Sequence, residues 1–265
     1  MPAIDAVLLD SGVESAMTDA SQPAPGLTPA EIDRYRREGA VTGIPVLTPA
    51  EASHWAAHLE AVVAAEQARR GDDWSERSHY PWSTPDHPLR EMYHALATHP
   101  RLVEAVRSVL GPNVLVRNGD VFYKPPGVEL VTWHLDTHVR DGTEGELLTA
   151  WLGLGDGVVD GWSGGLRFAC GQQDAELPDP PTDRFHLNLS RRALRAVRRA
   201  PMHQTRMPAG HASLHHARTP HMSGYNYTTR PRIGFVVRYM TPDCSPEVSE
   251  SGIAMRVAGD GGDRY

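Results

Sequence analysis

The chain has 265 residues, 40% of them hydrophobic and 22% charged, which is enough apolar material to bury a sizeable core in one large domain or two small ones. A formal charge of −7 lacks the basic footprint of a general nucleic-acid binder, and two cysteines, Cys170 and Cys244, are too few for a disulfide framework or a structural zinc site. No stretch approaches the ~18 apolar residues of a membrane span and the first residues lack a signal-peptide pattern, so the expected setting is the cytoplasm and the expected partner a small molecule, not nucleic acid or a membrane.

Residues 1–26, rich in Ala, Ser, Asp and Pro, read as a flexible leader. Thr28, Pro29 and Glu31 then make a capping-box start for a helix over 29–38, with Gly39 as its stop. A strand over Ala40 to Val46 follows, and Thr48-Pro49-Ala50-Glu51 repeats the same start for a helix to about Arg70. Residues 71–88 read as a loop lining a pocket, and two helices near 89–97 and 100–109 end at Gly111-Pro112. Beyond Gly111 the pattern changes to short strands at Val114–Arg117, Asp120–Tyr123, Leu130–Leu135, Leu147–Leu154, Gly165–Ala169, Gln204–Met207, Ala212–His215 and Ile233–Tyr239, separated by Gly, Pro, Asn and Asp. This grammar predicts an all-β core with flanking helices: a jelly-roll barrel over about 112–243 preceded by a helical part over about 27–111. The tail 244–265, with its Ser, Gly and Asp, reads as a mobile segment.

One basic helix, Ser190 to Ala200, interrupts the strands and puts Arg191, Arg195 and Arg199 on one stripe. Such a stripe is either a solvated face or a dock for an acidic partner, such as a carrier-protein-bound or CoA-bound substrate.

The chemistry centres on Trp133-His134-Leu135-Asp136. With 14 histidines in the chain, about one His-x-Asp triplet is expected by chance, so the motif gains meaning only from its context. In a strand, alternate side chains share a face, so His134 and Asp136 point together while Trp133 and Leu135 face the other layer. Two imidazoles and one carboxylate hold one face of a ferrous ion and leave the opposite positions open. His138 has the same parity, but three alternating ligands on one straight strand would stretch over ~13 Å, so a third ligand from another strand is expected. His211, His215, His216 and His221 all compete for that place. The single lysine, Lys124, lies in Phe122-Tyr123-Lys124-Pro125-Pro126-Gly127 just before the triplet, where it either falls by chance or, as a buried ammonium, orients an acidic co-substrate.

The segment from Met207 through Gly210-His211-Ala212-Ser213-Leu214-His215-His216 and His221-Met222-Ser223-Gly224 to Arg230-Pro231-Arg232 resembles the closing motif of the phytanoyl-CoA dioxygenase family. Leu27 to Glu51 and the His134-x-Asp136 motif are also similar to that family, so the likeness covers roughly 27–240. The resemblance implies a cupin-like double-stranded β-helix and a non-haem Fe(II), 2-oxoglutarate-dependent oxygenase that consumes O2 and releases succinate and carbon dioxide. Position by position, it implies His134, Asp136 and His221 as the iron ligands. Arg232 becomes the clamp for the distal carboxylate of 2-oxoglutarate, with Ser223 beside it, and Trp151 matches an aromatic set against the co-substrate, although it equally suits core packing. Family members that halogenate carry Gly or Ala in place of the carboxylate, so Asp136 implies hydroxylation or a related oxidation.

The stretch Ser163 to Gln173 departs from the family pattern, which puts the substrate class in doubt and leaves the iron site untouched. Substrate candidates are His138, Arg140, Asn118 and Trp82, with Tyr80 nearby. Two other readings are a zinc or manganese barrel hydrolase or isomerase and a catalytically silent 2-oxoglutarate-binding module; neither accounts for both Arg232 and an intact ligand triad.

Overall fold

Thr28 opens the first helix with a two-way cap: its amide donates to Glu31 Oε2 at 2.8 Å and the Glu31 amide donates back to Thr28 Oγ1 at 3.3 Å. Helix α1 (Pro29–Glu38) follows and ends at Gly39, whose φ of 76° suits glycine and where a Cβ would lie 2.3 Å from Thr219 Oγ1. Thr48 and Glu51 repeat the cap for α2 (Pro49–Arg70). The computed structural model describes residues 25–70, 86–128, 131–137, 145–176, 188–244 and 254–259. Within them lie three further helices, α3 (Arg90–Ala97), α4 (Pro100–Leu110) and α5 (Arg191–Val197).

The strands are β1 (Ala40–Pro45), β2 (Val114–Lys124), β3 (Val131–His134), β4 (Leu147–Leu154), β5 (Val158–Val159), β6 (Leu166–Ala169), β7 (Met202–Gln204), β8 (Met207–Pro208), β9 (His211–His216), β10 (His221–Ser223), β11 (Arg232–Met240) and β12 (Met255–Ala258). They form a six-stranded sheet in the order β1-β9-β4-β11-β2-β12, a four-stranded sheet in the order β3-β10-β6-β7, and the pair β5-β8. Every strand pairing among the described residues is antiparallel, as the jelly-roll reading requires.

The six-stranded sheet is covered on both faces, and β4 shows how: all eight of its residues are buried. Leu148, Ala150, Leu152 and Leu154 join the helices in the main core with Leu59, Leu96, Leu102 and Phe235. Thr149 and Trp151 point the other way, into the space between the sheets. Tyr239 Oη donates to Ala97 O at 2.8 Å and Phe235 meets Tyr93 edge-on at 5.1 Å, which fixes α3 on the outer face. Helix α5 covers the smaller sheet, packing Ala193 and Val197 against Leu135, Ala169 and Trp133. No helix among the described residues is long and apolar enough to cross a membrane.

Four strand expectations need correction. Asn118-Gly119 does not break the chain into two strands; β2 runs through it. Gly119 is there for close approach, since a Cβ would meet Val236 O at 3.1 Å and the Tyr93 ring at 3.2 Å, and the register skips Arg117 in a bulge. The expected strand at 204–207 is divided between β7 and β8, which join different sheets, because the Thr205 amide turns to Leu166 O. The three-residue β10 was not anticipated. Part of the tail expected to be mobile is β12, which pairs with the edge of β2.

Candidate metal centre

His134 and His221 lie far apart in the chain and directly opposite each other in the fold. Strand β10 pairs with β3 with His221 facing His134, which brings their ring centroids to 4.1 Å. Each ring is turned by the same local device. His134 Nδ1 lies 2.8 Å from Thr132 O and His221 Nδ1 lies 2.9 Å from Thr219 O, the carbonyl two residues earlier. A carbonyl can only accept, so Nδ1 carries the hydrogen and Nε2 keeps its lone pair.

Asp136 completes the cluster, although it does not stand on the strand as its parity suggested. Strand β3 ends at His134, and Asp136 sits in the following bend with its amide donating to Ala217 O at 2.8 Å. One ligand atom from each of His134, Asp136 and His221 lies within 4.8 Å of the others, so the three could hold a metal ion. Two Nε2 lone pairs facing a carboxylate fit a divalent transition metal. Burial alone would raise the Asp136 pKa, but Arg238, His221 and His215 hold it well below the usual carboxylate range. Burial and then the neighbouring His134 push His221 well below the usual imidazole value.

The rival histidines are placed differently. His215 is buried with its Nε2 3.0 Å from Asp136 Oδ2, so it supports the carboxylate. His216 accepts from the Arg218 amide at 3.1 Å through Nδ1, and burial followed by Arg218 brings its pKa down to about 4. His211 lies at the start of β9, outside the ligand cluster.

A cavity opens beside the cluster, walled by Phe122, Thr149, Trp151 and Val236 from the large sheet and by Val131, Leu166 and Ser223 from the small one. At one end two buried cations face each other in register, Arg232 on β11 and Lys124 on β2. Arg232 has no hydrogen-bond partner for Nε, its Cζ lies 5.1 Å from the Trp151 ring centre, and burial lowers its pKa to about 10. Lys124 donates to Ser223 Oγ at 2.8 Å and Gly224 O at 2.6 Å, and burial together with Arg232 lowers it to about 8. Two buried cations with no carboxylate between them suit an acidic ligand.

Of the substrate candidates, Asn118 stands beside Arg238 in the register, not on the cavity wall, and its Oδ1 has no hydrogen-bond partner. Trp82, Tyr80, His138 and Arg140 lie outside the described residues. Three residues that the sequence did not single out line or support the site: Thr149, Arg238 and Asp120. Arg238 donates to Asp120 Oδ2 at 2.6 Å and to Asp136 Oδ1 at 3.1 Å. The signal for it was alternation, since Arg238 shares its strand face with Arg232.

The family model described as Phytanoyl-CoA dioxygenase (PhyH) matches residues 35–234. A probable alpha-ketoglutarate-dependent hypophosphite dioxygenase from Stutzerimonas stutzeri is 28% identical over 156 residues, covering 57% of this chain. The match spans 54% of that relative, about half its length. Among solved structures, the apo non-heme monooxygenase ThoJ is 25% identical with a TM-score of 0.64, covering 87% of this chain and 84% of its own. The epimerase SnoN, solved with Fe3+, alpha ketoglutarate and nogalamycin RO, is 25% identical with a TM-score of 0.62, covering 80% of this chain and 82% of its own.

Proposed function

Because the chain belongs to the phytanoyl-CoA dioxygenase family, we propose that it is a non-haem Fe(II), 2-oxoglutarate-dependent dioxygenase that hydroxylates a small molecule. The observation that carries this reading is the paired imidazoles, each with Nδ1 committed to a backbone carbonyl and Nε2 facing Asp136. His134, Asp136 and His221 hold the metal. Arg232 grips the distal carboxylate of 2-oxoglutarate, with Lys124 and Ser223 completing the cradle and Trp151 forming its wall.

When bound, ferrous iron supplies the oxygen activation that couples decarboxylation of 2-oxoglutarate, releasing succinate and carbon dioxide, to oxidation of an unactivated C–H bond of the substrate. The chain supplies orientation and an apolar lining. Lys124 and Arg232 fix one end of the co-substrate, and Phe122, Val131, Leu166 and Val236 line the rest of the cavity with apolar surface. Asp136 is present and held by three donors, which favours hydroxylation over halogenation. A zinc hydrolase would leave the facing Lys124 and Arg232 without a role.

The test is succinate formation from 2-oxoglutarate under air with ferrous iron, with and without a panel that includes hypophosphite and polycyclic natural products. Substrate-stimulated succinate is expected. No turnover with any compound, together with tight retention of zinc, sinks the proposal.

A second reading concerns delivery. Helix α5 begins next to the metal cluster, with the Leu189 amide donating to Trp133 O at 2.9 Å and Asn188 bridging to His134. An acidic carrier docked on exposed Arg191, Arg195 and Arg199 would therefore present its cargo at the site. Reversing those three charges lowers turnover of a carrier-linked substrate and spares a free one; equal turnover of both rules this reading out.

A further inference from the structure

The two histidines and the carboxylate of the metal cluster are held by different sheets. His134 and His221 stand on β3 and β10 of the small sheet. Asp136 leaves that sheet at the end of β3 and is bound by the large one, through a row of side chains that runs straight across three strands. His215 on β9 faces Thr149 on β4, and Thr149 faces Arg238 on β11. All three reach the same carboxylate. Thr149 Oγ1 donates to Oδ2 at 2.7 Å, His215 Nε2 lies 3.0 Å from Oδ2, and Arg238 donates to Oδ1 at 3.1 Å. The far side of the Arg238 guanidinium is held by Asp120 on β2 at 2.6 Å. Lateral neighbours in a paired sheet are spaced by the backbone ladder, so these donors are fixed before any ligand arrives.

We propose that Arg238 is a positioning residue which, with Thr149 and His215, restricts Asp136 to a single bond to the metal. A carboxylate offers roughly four lone-pair sites, and three are taken by these donors. One site remains, on Oδ1. Asp136 therefore cannot chelate through both oxygens, which would leave further positions of a bound metal free for other ligands. The inference rests on the metal-binding reading of His134, Asp136 and His221 and goes beyond it, because it assigns the coordination mode to residues on the opposite sheet.

The experiment uses Co(II) as the probe, bound to the full chain without co-substrate, and reads its affinity by equilibrium dialysis and its visible ligand-field bands. Arg238→Met should weaken Co(II) binding about tenfold to a hundredfold and shift the bands as the carboxylate pivots. Arg238→Lys, which keeps a charged donor, should recover part of both effects. Thr149→Val removes one donor without changing charge and should give a smaller shift in the same direction, so the test survives if Arg238→Met misfolds and leaves Asp120 and Asp136 facing each other. Thermal unfolding of each metal-free variant separates loss of metal from loss of fold. Wild-type affinity and bands in Thr149→Val and in whichever Arg238 variant folds overturn the proposal. A wild-type protein that binds no Co(II) or Fe(II) overturns the metal-binding reading instead.

Discussion

Gly234→Ala probes the co-substrate end of the cavity through one added methyl group. On β11, Gly234 lies under the Trp151 indole, and a Cβ there would sit 2.2 Å from Cζ2, 2.4 Å from Cε2 and 2.6 Å from Nε1. Carbon atoms in contact stay about 3.5 Å apart, so the ring would have to move by roughly 1.3 Å. It has little room to do so, because it is packed with Val159, Leu166, Phe168 and Val236 and lies over the Arg232 guanidinium. Overpacking of this kind costs about 1–3 kcal/mol, and in a chain of this size 2 kcal/mol lowers Tm by roughly 4–8 °C. Displacing the indole also removes a cation–π contact worth about 0.5–2 kcal/mol from Arg232, so 2-oxoglutarate affinity should fall about tenfold. Thermal unfolding and anaerobic calorimetric titration of 2-oxoglutarate measure the two effects. In Gly234→Ala combined with Trp151→Phe, the smaller ring relieves the clash, so Tm should recover while affinity stays low. Unchanged Tm and unchanged affinity in the single variant would show that Trp151 has slack and does not set the position of Arg232.

Three other outcomes test the remaining parts. His221→Ala should abolish ferrous-iron binding in anaerobic dialysis, whereas His216→Ala, whose ring is engaged by the Arg218 amide, should bind like wild type; the reverse result reassigns the third ligand. Asp136→Gly leaves Thr149, His215 and Arg238 aimed at an empty carboxylate-sized space, so millimolar formate should restore part of the lost metal affinity, and no response to formate would mean that the donors relax without the side chain. Burial and Arg232 lower Lys124 from 10.5 to about 8, and its charged form is the one that binds a carboxylate. Affinity for 2-oxoglutarate is therefore full below about pH 8 and falls above it, by up to about tenfold to a hundredfold if one charge-assisted hydrogen bond is lost. Stability of the empty protein runs the opposite way: the folded pKa lies below the unfolded one, so the penalty for burying the ammonium is present below pH 8 and fades as pH rises toward 10.5. Lys124→Gln should flatten both profiles, and a wild-type titration of 2-oxoglutarate that is level across this window refutes the assignment.

What the sequence made legible was mostly local. The capping boxes at Thr28 and Thr48 predicted two helix starts that the structure reproduces, because the residues that cap each helix lie within three positions of one another. Strands marked by continuous apolar runs, such as Leu147 to Leu154, were equally readable. The errors arose where a distant contact overrode a local signal. Asn118-Gly119 has the composition of a turn, yet Gly119 serves the approach of Tyr93 and Val236 from other elements. Strand β10 is too short for periodicity and exists because β3 and β6 flank it. At the site, strand parity paired His134 with Asp136, but nothing in the residues alone ranked His221 above His215; both are buried histidines near one carboxylate. The family resemblance separated them, and the Nδ1 bond to Thr219 O gives the physical reason that His221 Nε2 faces the centre. Arg238 lay in the open, a charged residue on the inner face of a buried strand, but its partner Asp136 comes from another sheet and no spacing rule connects them.

The two sheets divide the chemistry by charge. Apart from Asp136, the buried or half-buried charges of the site, Lys124, Asp120, Arg232 and Arg238, stand on β2 and β11. Those strands share nine register partners and are flanked on both sides, by β12 and β4. A buried charge is tolerable only when its partners stay in place, and the longest ladder in the fold keeps them there. The neutral imidazoles stand on β3 and β10, which share only two register partners. The two cations of the co-substrate cradle therefore stand on the longest ladder of the fold, while the histidine side of the metal centre stands on short strands with few register partners. Amide hydrogen exchange should accordingly be slower along β11 than in β3 and β10. Metal binding, which ties both histidines to a carboxylate held by the large sheet, should slow exchange in β3 and β10 far more than in β11.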